Sequence, residues 1–364
     1  MRHLYFHIPF CAKLCPYCSF YVDTHFKNKS QGFLDALLGE IDLLQTRFTI
    51  RPKTLYFGGG TPSSLSLSQL RYLLEGLHDR LNQEDLVEWT FEVNPATVSL
   101  DKARLLRAMG VNRISMGVQS WDETILKTLG RIHTGPEAEQ TFHILREAGF
   151  DNINLDLMFA VPGQSRAQWS ETLAKTIALK PEHISSYCLT YEEDTEFFRK
   201  LKTGELTQDE NWDADLFEIT MDTLCEAGYL QYEVSNYARP GRESLHNFAY
   251  WNGDDYLGLG PGAFSTQGTK RWQNIANTAI YTQRILTGEP TQSFEEEISE
   301  RIRTGERLAF SLRTNRGLSL NALDPWREQV DEFISMGLLE INGDQAYLTR
   351  KGKLLADSVA EIFV

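Results

Sequence analysis

The chain has 364 residues, of which 41% are hydrophobic and 24% are charged, a balance that excludes global disorder and allows a sizeable core. Its 36 lysines and arginines against 50 aspartates and glutamates give a formal net charge of −14. That charge argues against broad nucleic-acid binding, because such binding neutralises phosphates with basic side chains. Residues 1–10 lack the apolar stretch of a secretory signal, and no run of 18 apolar residues occurs, so we expect a cytoplasmic protein without a transmembrane segment.

The first half of the chain alternates short apolar segments with amphipathic segments of helix length. We predict six strands, at residues 4–8, 54–57, 88–93, 113–118, 153–159 and 183–189. The helices predicted around them lie at 33–44, 68–81, 100–109, 138–148 and 169–179. Each connection is long enough for a right-handed crossover, so the pattern predicts a parallel sheet, either open or closed into a full or partial barrel.

Polar or glycine-rich segments recur at the carboxyl ends of these strands. They are the cysteine loop, residues 58–62 (GGGTP), residues 92–95 (EVNP), Gln119-Ser120, Asp156 and Pro162-Gly163. Glycine and proline punctuate loops in any α/β protein. Their repetition at one edge of one sheet nevertheless favours a barrel-like fold with a functional site at that edge, because carboxyl-end loops carry the sites of such folds.

The pattern changes after about residue 205. We predict a long helix at 211–227, a loop-rich stretch at 229–264, and helices with a short hairpin from 298 onward. Asn342-Gly343 between the apolar segments 338–341 and 346–348 indicates a type I′ hairpin. The chain is therefore divided into 1–228, 229–295 and 296–364, the last being a winged-helix-like α+β module. With this acidity, we expect the module to pack on the main domain or contact a partner rather than bind DNA.

Three of the five cysteines, Cys11, Cys15 and Cys18, lie within eight positions. Three thiolates of one loop can bind three irons of a [4Fe–4S] cubane and leave the fourth iron open for a ligand. The alternative is a structural zinc ion with His7 or His25 as fourth ligand, but such sites usually pair two cysteine knuckles, and no second pair occurs here. Cys188 and Cys225 stand alone and are interpreted as buried small apolar residues.

The cysteine motif, with Tyr17 before its last cysteine, resembles the radical S-adenosylmethionine (SAM) family. Further segments resemble its oxygen-independent coproporphyrinogen III oxidase (HemN-like) branch: residues 5–11 (YFHIPFC), 57–62 (FGGGTP), 91–95 (FEVNP), 117–120 (GVQS) and 156–158 (DLM). The resemblance implies a partial (β/α)6 barrel with the carboxyl-terminal module, and a [4Fe–4S] cluster on Cys11, Cys15 and Cys18 whose open iron chelates SAM. It also implies cofactor-binding roles for Tyr5, Tyr17, Gly59, Gly60, Thr61, Glu92, Gln119, Arg131 and Asp156.

Three departures within the branch resemble its haem-chaperone group rather than its oxidases. Phe20 stands where the oxidases have a further cysteine, little chain precedes the cysteine loop, and residues 246–251 read HNFAYW. This resemblance implies haem binding, with His246 as axial ligand and Tyr250 and Trp251 lining the porphyrin.

The chaperone resemblance also implies delivery of haem to haem-requiring proteins, notably respiratory ones, and an electron donor if SAM is cleaved. Oxidative decarboxylation of coproporphyrinogen III is the alternative function, and a radical SAM methyltransferase or other modifying enzyme is a third. Productive SAM cleavage, peripheral membrane contact and homodimerisation stay open.

Overall fold

The computed structural model describes residues 1–24 and 30–364. Within them, six parallel strands form the centre of the main sheet: β1 (His3–Ile8), β2 (Thr54–Gly59), β3 (Glu88–Val93), β4 (Arg113–Gln119), β5 (Ile153–Phe159) and β6 (His183–Cys188). Each strand pairs in parallel with the next one along the chain. All six predicted strands are confirmed, with ends within two residues of the predicted ones. The α/β class and the partial barrel are confirmed as well.

Helices connect these strands. They are α1 (Ser30–Gln45), α2 (Leu67–His78), α3 (Leu100–Ala108), α4 (Glu123–Thr128), α5 (Gly135–Glu147) and α6 (Arg166–Ala178), followed by α7 (Glu196–Lys202) and α8 (Glu210–Glu226). Ser66, Thr134 and Ser165 cap α2, α5 and α6 in capping boxes with a Gln or Glu three residues later. These boxes satisfy backbone N–H groups that would otherwise lack partners at the helix start. The two helices missing from the prediction, α4 and α7, are the short ones, with six and seven residues.

Alternation along the strands separates an apolar face from a polar interior. Phe6, Phe57 and Phe91 are fully buried, and the ring centroids of Phe6 and Phe57 lie 4.3 Å apart. Because successive side chains of a strand point to opposite faces, the intervening positions share the other side of the sheet. These positions are mostly polar: His3, Tyr5 and His7 on β1, Thr54 and Tyr56 on β2, Glu88 and Glu92 on β3, Arg113 and Ser115 on β4, Asn154 and Asp156 on β5, and His183 and Ser185 on β6. The sheet thus presents a polar interior that leads to its carboxyl edge.

The stretch at 229–264 is mostly loop and turn, as predicted, although it also forms short helical and strand elements. It contains β7 (Leu230–Gln231), β8 (Asn236–Ala238), α9 (Leu245–Trp251) and β9 (Leu257–Leu259). The strand β9 pairs in parallel with β1, whereas β8 pairs antiparallel with β6, so this stretch extends both sides of the main sheet. Elements of two, three and seven residues are too short to show a period, and their register comes from strands already in place.

Two smaller antiparallel sheets follow. The first comprises β10 (Phe264–Gln267), β11 (Lys270–Asn274) and β12 (Gln292–Glu297), with α10 (Thr278–Thr287) packed on α1. The second comprises β13 (Leu318–Ser319), β14 (Leu339–Asn342) and β15 (Gln345–Leu348). Around it lie α11 (Glu300–Leu312), α12 (Arg327–Ser335), α13 (Arg350–Leu354) and α14 (Ala356–Ala360). Residues of α11, α12 and α14 share a hydrophobic cluster with this sheet. The domain boundaries themselves stay a prediction.

The predicted hairpin forms, but its turn lies one residue further along. Asn342 pairs with Gln345, which leaves Gly343 and Asp344 as the two-residue loop. Gly343 has a φ of 65°, and of these loop residues only the glycine adopts a positive φ. A glycine with positive φ at the first central position is typical of a type II′ turn, so the type I′ prediction is wrong.

None of the helices in residues 1–24 and 30–364 combines the length and hydropathy that crossing a bilayer requires.

Candidate functional site

A cavity of about 420 Å³ opens at the carboxyl edge of the main sheet. Its lining includes most of the site residues predicted from the sequence: Cys11, Cys15, Tyr17, Cys18, Gly59, Gly60, Thr61, Glu92, Gln119, Arg131 and Asp156. Tyr5 and His246 are not part of that lining. The carboxyl ends of five strands therefore bring these side chains to one place, as the loop pattern predicts.

The cysteine loop is closed at its base by backbone hydrogen bonds. The amide of Asp23 donates to the Pro9 carbonyl at 2.7 Å, and the amide of Cys11 donates to the Asp23 carbonyl at 3.3 Å. Cys11 Sγ lies 3.4 Å from Thr61 Oγ1, and Arg131 Nη1 lies 4.0 Å from Cys15 Sγ. The loop thus carries its three thiols over the ends of β2 and β4.

The donor set of three thiols on one loop suits an iron–sulfur cluster, because a cubane takes each thiolate on a separate iron. Among the described residues, no three His, Cys or carboxylate side chains converge as the ligands of one metal ion. His7 Nε2 is already occupied, because it donates to the Tyr21 carbonyl at 2.8 Å, and His25 lies outside the described residues. Burial raises the pKa of the Cys11 thiol and raises that of Cys18 to about 11, so ligation must displace protons from both.

The glycine run packs too closely against its neighbours to carry side chains. Gly59 has a φ of +101°, and a Cβ there would meet the His7 ring at 2.6 Å. A Cβ at Gly60 would meet the Pro9 carbonyl at 2.7 Å, and one at Gly58 would meet the Glu92 carboxylate at 2.9 Å. The run therefore lets β2 approach the base of the cysteine loop and Glu92. Contact of Gly59, Gly60 and Thr61 with SAM stays a prediction.

Two half-buried carboxylates form the floor of the cavity. Tyr56 Oη donates to Glu92 Oε1 at 2.7 Å, and Ser115 Oγ donates to Asp156 Oδ2 at 3.0 Å. Burial raises the pKa of Glu92 to about 7, and the neighbouring Asp156 adds to that rise. Burial likewise raises the pKa of Asp156. Such a floor suits a ligand that brings positive charge or hydroxyl donors, as the ammonium and ribose of SAM do.

Gln119 and Arg131 lie on the wall of the cavity. Gln119 has a φ of 66° where the register of β4 against β5 shifts, and a bulge of this kind re-aims a side chain. Arg131 Nη2 donates to Asn94 Oδ1 at 2.6 Å and to the Gly117 carbonyl at 2.8 Å. Arg131 Nε is buried without a partner among the described residues. The guanidinium is therefore anchored through Nη2, while Nη1 faces the Cys15 thiol.

Sequence reasoning missed several residues of the cavity. Asn94 belongs to the FEVNP segment, but its task of fixing Arg131 becomes visible only in three dimensions. Ser115 and Tyr187 also line the cavity, and the alternation along β4 and β6 was the available signal for both. Cys188 lines it too, and both Cys188 and Cys225 are exposed, so the interpretation of these two as buried residues is wrong. Cys188 is the last residue of β6, and Cys225 lies beside the buried stripe of α8.

Tyr5 lies beneath the cavity. Its hydroxyl is 3.2 Å from His7 Nδ1, and its ring packs 6.1 Å from that of Tyr56. Because His7 Nε2 donates to a carbonyl, Nδ1 of the neutral ring accepts the Tyr5 proton, and burial lowers the pKa of His7 to about 4. In this arrangement Tyr5 supports His7, which packs against Gly59. Direct contact of Tyr5 with SAM stays a prediction.

His246 lies at the opposite, amino edge of the sheet. It is fully buried, with Nδ1 at 2.7 Å from Thr54 Oγ1 and Nε2 at 2.8 Å from Tyr250 Oη. The Glu88 carboxylate accepts from the amides of Leu245 and His246 at the start of α9. Burial lowers the pKa of His246 to about 3. Both ring nitrogens are hydrogen-bonded, so iron binding requires these bonds to break, and the axial-ligand role stays a prediction.

Tyr250 and Trp251 line a second, separate cavity of about 230 Å³, together with Tyr256, Arg271, Arg303 and Phe310. The HNxxYW segment therefore forms a helix between the main sheet and α11 and does not reach the cysteine cavity. Porphyrin contact by Tyr250 and Trp251 stays a prediction as well.

Comparison with known proteins agrees with the geometry of the cysteine cavity. The sequence model of the radical SAM superfamily matches residues 5–175 of this chain. A protein named heme chaperone HemW from Bacillus subtilis is 35% identical, with 100% of this chain and 99% of the relative covered. The protein of the same name from Lactococcus lactis is 34% identical over 99% of this chain and 96% of the relative.

A solved structure extends the similarity to the whole fold. It is the coproporphyrinogen III oxidase HemN from Escherichia coli, described as a radical SAM enzyme. Its TM-score is 0.85 at 26% identity, with 99% of this chain and 89% of that chain covered. The resemblance inferred from the motifs is thereby confirmed. The chain belongs to the HemW family of radical SAM proteins.

Proposed function

We propose that the protein is a haem chaperone, which holds a [4Fe–4S] cluster and SAM and passes haem to haem-requiring proteins. The observation that carries the proposal is the similarity over essentially the whole chain to proteins named heme chaperone HemW. The cavity with its three cysteines supports the cluster and SAM. The sequence resemblance adds respiratory proteins as acceptors.

Different residues of the cavity would contact different groups of SAM. When bound, the cluster supplies an open iron that can take up the amino and carboxylate groups of SAM. Arg131, anchored by Asn94, lines the cavity and brings a positive charge that suits a carboxylate. Glu92 and Asp156 accept hydrogen bonds or neutralise positive charge, and Gln119 offers an amide from the bulge in β4. Each residue type matches the group that it would meet.

The rim of the cysteine cavity suits a flat apolar ligand. Four large apolar or aromatic side chains in its lining are exposed: Leu14 by 53%, Phe20 by 66%, Ile132 by 59% and Tyr187 by 39%. Lys13 lies in the same lining and can pair with a propionate. Exposed apolar surface around a cavity is typical of a binding surface. This rim is therefore the haem surface that we favour, ahead of the buried His246.

Phe20 also separates this function from its main alternative. The structural similarity to HemN favours coproporphyrinogen III oxidase as the second candidate. The resemblance predicts a further cysteine in oxidases at the position of Phe20, and this side chain lies at the cavity rim. A phenyl ring cannot act as a thiolate, so we expect no decarboxylation.

The finer assignments about partners stay predictions. They are delivery to respiratory proteins, an electron donor if SAM is cleaved, a cytoplasmic location, peripheral membrane contact and homodimerisation.

One experiment tests chaperone against oxidase. The protein is reconstituted anaerobically with iron and sulfide, and haem binding and coproporphyrinogen III turnover are then measured on the same sample. We expect a haem absorption spectrum and no decarboxylated product. Phe20→Ser and Ile132→Ser should weaken haem binding, whereas Leu286→Ser, at an equally exposed apolar residue outside the cavity, should not. Turnover of coproporphyrinogen III would contradict the proposal.

A further inference from the structure

A chain of buried hydrogen bonds runs through the interior of the sheet from α9 to the cysteine cavity. The amide of Ser244, which caps α9, lies 3.3 Å from Tyr232 Oη, and Tyr232 Oη lies 2.7 Å from His183 Nε2. His183 Nδ1 lies 2.6 Å from Asn154 Oδ1, and Asn154 Nδ2 lies 2.7 Å from Asp156 Oδ1. The chain therefore ends on a carboxylate of the cavity floor.

The donors of this chain all point the same way. Tyr232 Oη accepts from the Ser244 amide, which can only donate. Because Asn154 Oδ1 can only accept, the one proton of the neutral His183 ring lies on Nδ1, and Nε2 accepts the proton of Tyr232 Oη. Burial lowers the pKa of His183 well below its ordinary value, so the neutral ring carries one proton, which then resides on Nδ1. Nδ1 donates to Asn154 Oδ1, and the amide NH2 of Asn154 faces Asp156.

The orientation of Asn154 decides what Asp156 experiences. Besides Asp156, Nδ2 donates to Ser115 Oγ at 2.7 Å, and Ser115 in turn donates to the other oxygen of Asp156. If the amide were turned over, its oxygen would face the carboxylate and its NH2 would face the Nδ1 proton of His183. Both contacts are unfavourable. The proton on Nδ1 therefore disfavours the turned arrangement, together with Ser185 Oγ, which donates to Asn154 Oδ1 at 3.1 Å.

We propose that His183 is a positioning residue for SAM binding, because it helps to fix the Asn154 amide, which holds one oxygen of Asp156 directly and the other through Ser115. The inference rests on the proposed function in one respect, namely that Asp156 contacts SAM. His183 itself is fully buried and does not line the cavity. Its effect on SAM passes through two hydrogen bonds.

A pair of substitutions of matched shape tests the inference. Asparagine and leucine are close in size, but only asparagine keeps an N–H near the position of Nδ1. SAM affinity is measured on the anaerobically reconstituted full chain for wild type, His183→Leu and His183→Asn. We expect His183→Leu to bind SAM about tenfold more weakly, the loss typical of one misplaced buried hydrogen bond. His183→Asn should restore most of the affinity.

A second pair of variants distinguishes a specific effect on SAM binding from a general loss of folding. Tyr232→Phe removes the proton that fixes the His183 tautomer, and it should weaken SAM binding by about threefold. Tyr229→Phe removes an equally buried hydroxyl, which donates to the Pro181 carbonyl at 2.8 Å outside this chain, and it should leave SAM affinity unchanged. If the wild-type protein binds SAM but His183→Leu and His183→Asn bind it with equal affinity, the positioning role of His183 alone is overturned. A wild type that binds haem but not SAM would overturn the SAM site, and with it this inference, while leaving the haem function standing.

Discussion

The two edges of the parallel sheet carry similar residue types but differ in whether these side chains line a cavity. At the carboxyl edge, Arg131, Glu92 and Asp156 line the cysteine cavity, and the two carboxyls have raised pKa values. At the amino edge, Thr54 Oγ1 lies within hydrogen-bond distance of both His3 and His246, and Arg113 Nε is buried without a partner among the described residues and away from that cavity. Polar groups left without partners beside a cavity are poised for a ligand, whereas mutually bonded ones hold the fold together.

The contrast explains why the residues of one motif line the cysteine cavity and those of the other do not. The cysteines and the carboxyl-end segments meet in one cavity because parallel strands end at the same edge. Residues 246–251 include residue types that suit haem. A sequence does not show, however, whether both ring nitrogens of a histidine already have hydrogen-bond partners. In the fold, His246 ties α9 to the first residue of β2, and its neighbour Glu88 opens β3. Residue type alone therefore does not separate a side chain that lines a cavity from one that is hydrogen-bonded inside the fold.

The largest effect at the carboxyl edge is expected from substitution of a cysteine. Cys15→Ala should abolish the cluster and SAM binding together, because two thiolates leave two irons without a protein ligand. Iron and sulfide content and the spectrum of the reduced, anaerobic protein measure the loss. Cys225→Ala, at an exposed cysteine far along the chain on α8, is the matched control and should retain the full cluster. A colourless wild type holding stoichiometric zinc would contradict the assignment.

A smaller loss is expected at the cavity floor. Asp156→Ala and Glu92→Ala should each weaken SAM binding by about 1–3 kcal/mol, the usual cost of leaving a buried partner unpaired. The cluster itself should remain, because neither carboxylate belongs to its ligand set. Asp85→Ala, which breaks an exposed ion pair with Arg2, is the control. Unchanged SAM affinity in both cavity variants would refute the placement of SAM.

Much of the fold followed from the sequence, and the failures have a common cause. The six strands could be predicted because each is long enough to show apolar patterning. By contrast, β7, β8 and β9 have two or three residues and exist because an edge of the main sheet is available to them. The hairpin turn lies at Gly343 and Asp344 rather than at the predicted Asn342 and Gly343, because Asn342 pairs with Gln345 and so belongs to the strand. Asn94 and His183 were missed because each acts on another side chain, Asn94 on Arg131 and His183 on Asn154.

At the amino edge, we expect an effect on stability rather than on the cluster. His246→Ala removes the ring that bonds Thr54 and Tyr250, and it should lower the free energy of unfolding by about 1–3 kcal/mol. Iron content and SAM affinity should stay as in wild type. Tyr250→Phe removes one of the two ring contacts and should cost less. A haem spectrum that changes in His246→Ala but not in Tyr250→Phe would establish His246 as the axial ligand and contradict the purely structural role.

The smallest expected effect is a proton released when SAM binds near neutral pH. The pKa of Glu92 is about 7 in the folded protein, raised by burial from an ordinary value of 4.5. Unfolding therefore releases a proton between pH 4.5 and 7, and the contribution of Glu92 to stability falls as pH rises through that window. Positive charge from SAM lowers the pKa again, so binding at pH 7 should release a fraction of a proton. Calorimetry in buffers of different ionisation enthalpy measures this release.

A second buried glutamate provides the control for that measurement. The pKa of Glu40 is also raised by burial to about 7, but its carboxylate accepts from Tyr281, Asn274 and the amide of Gly260, away from the cavity. Glu92→Gln should abolish the proton release, whereas Glu40→Gln should retain it. Both substitutions should flatten the dependence of stability on pH, because each removes one carboxyl that is protonated in the folded chain at pH 6. If proton release disappeared in Glu40→Gln as well, the titrating group would not belong to the carboxyl edge, and the distinction between the two edges would have to be redrawn.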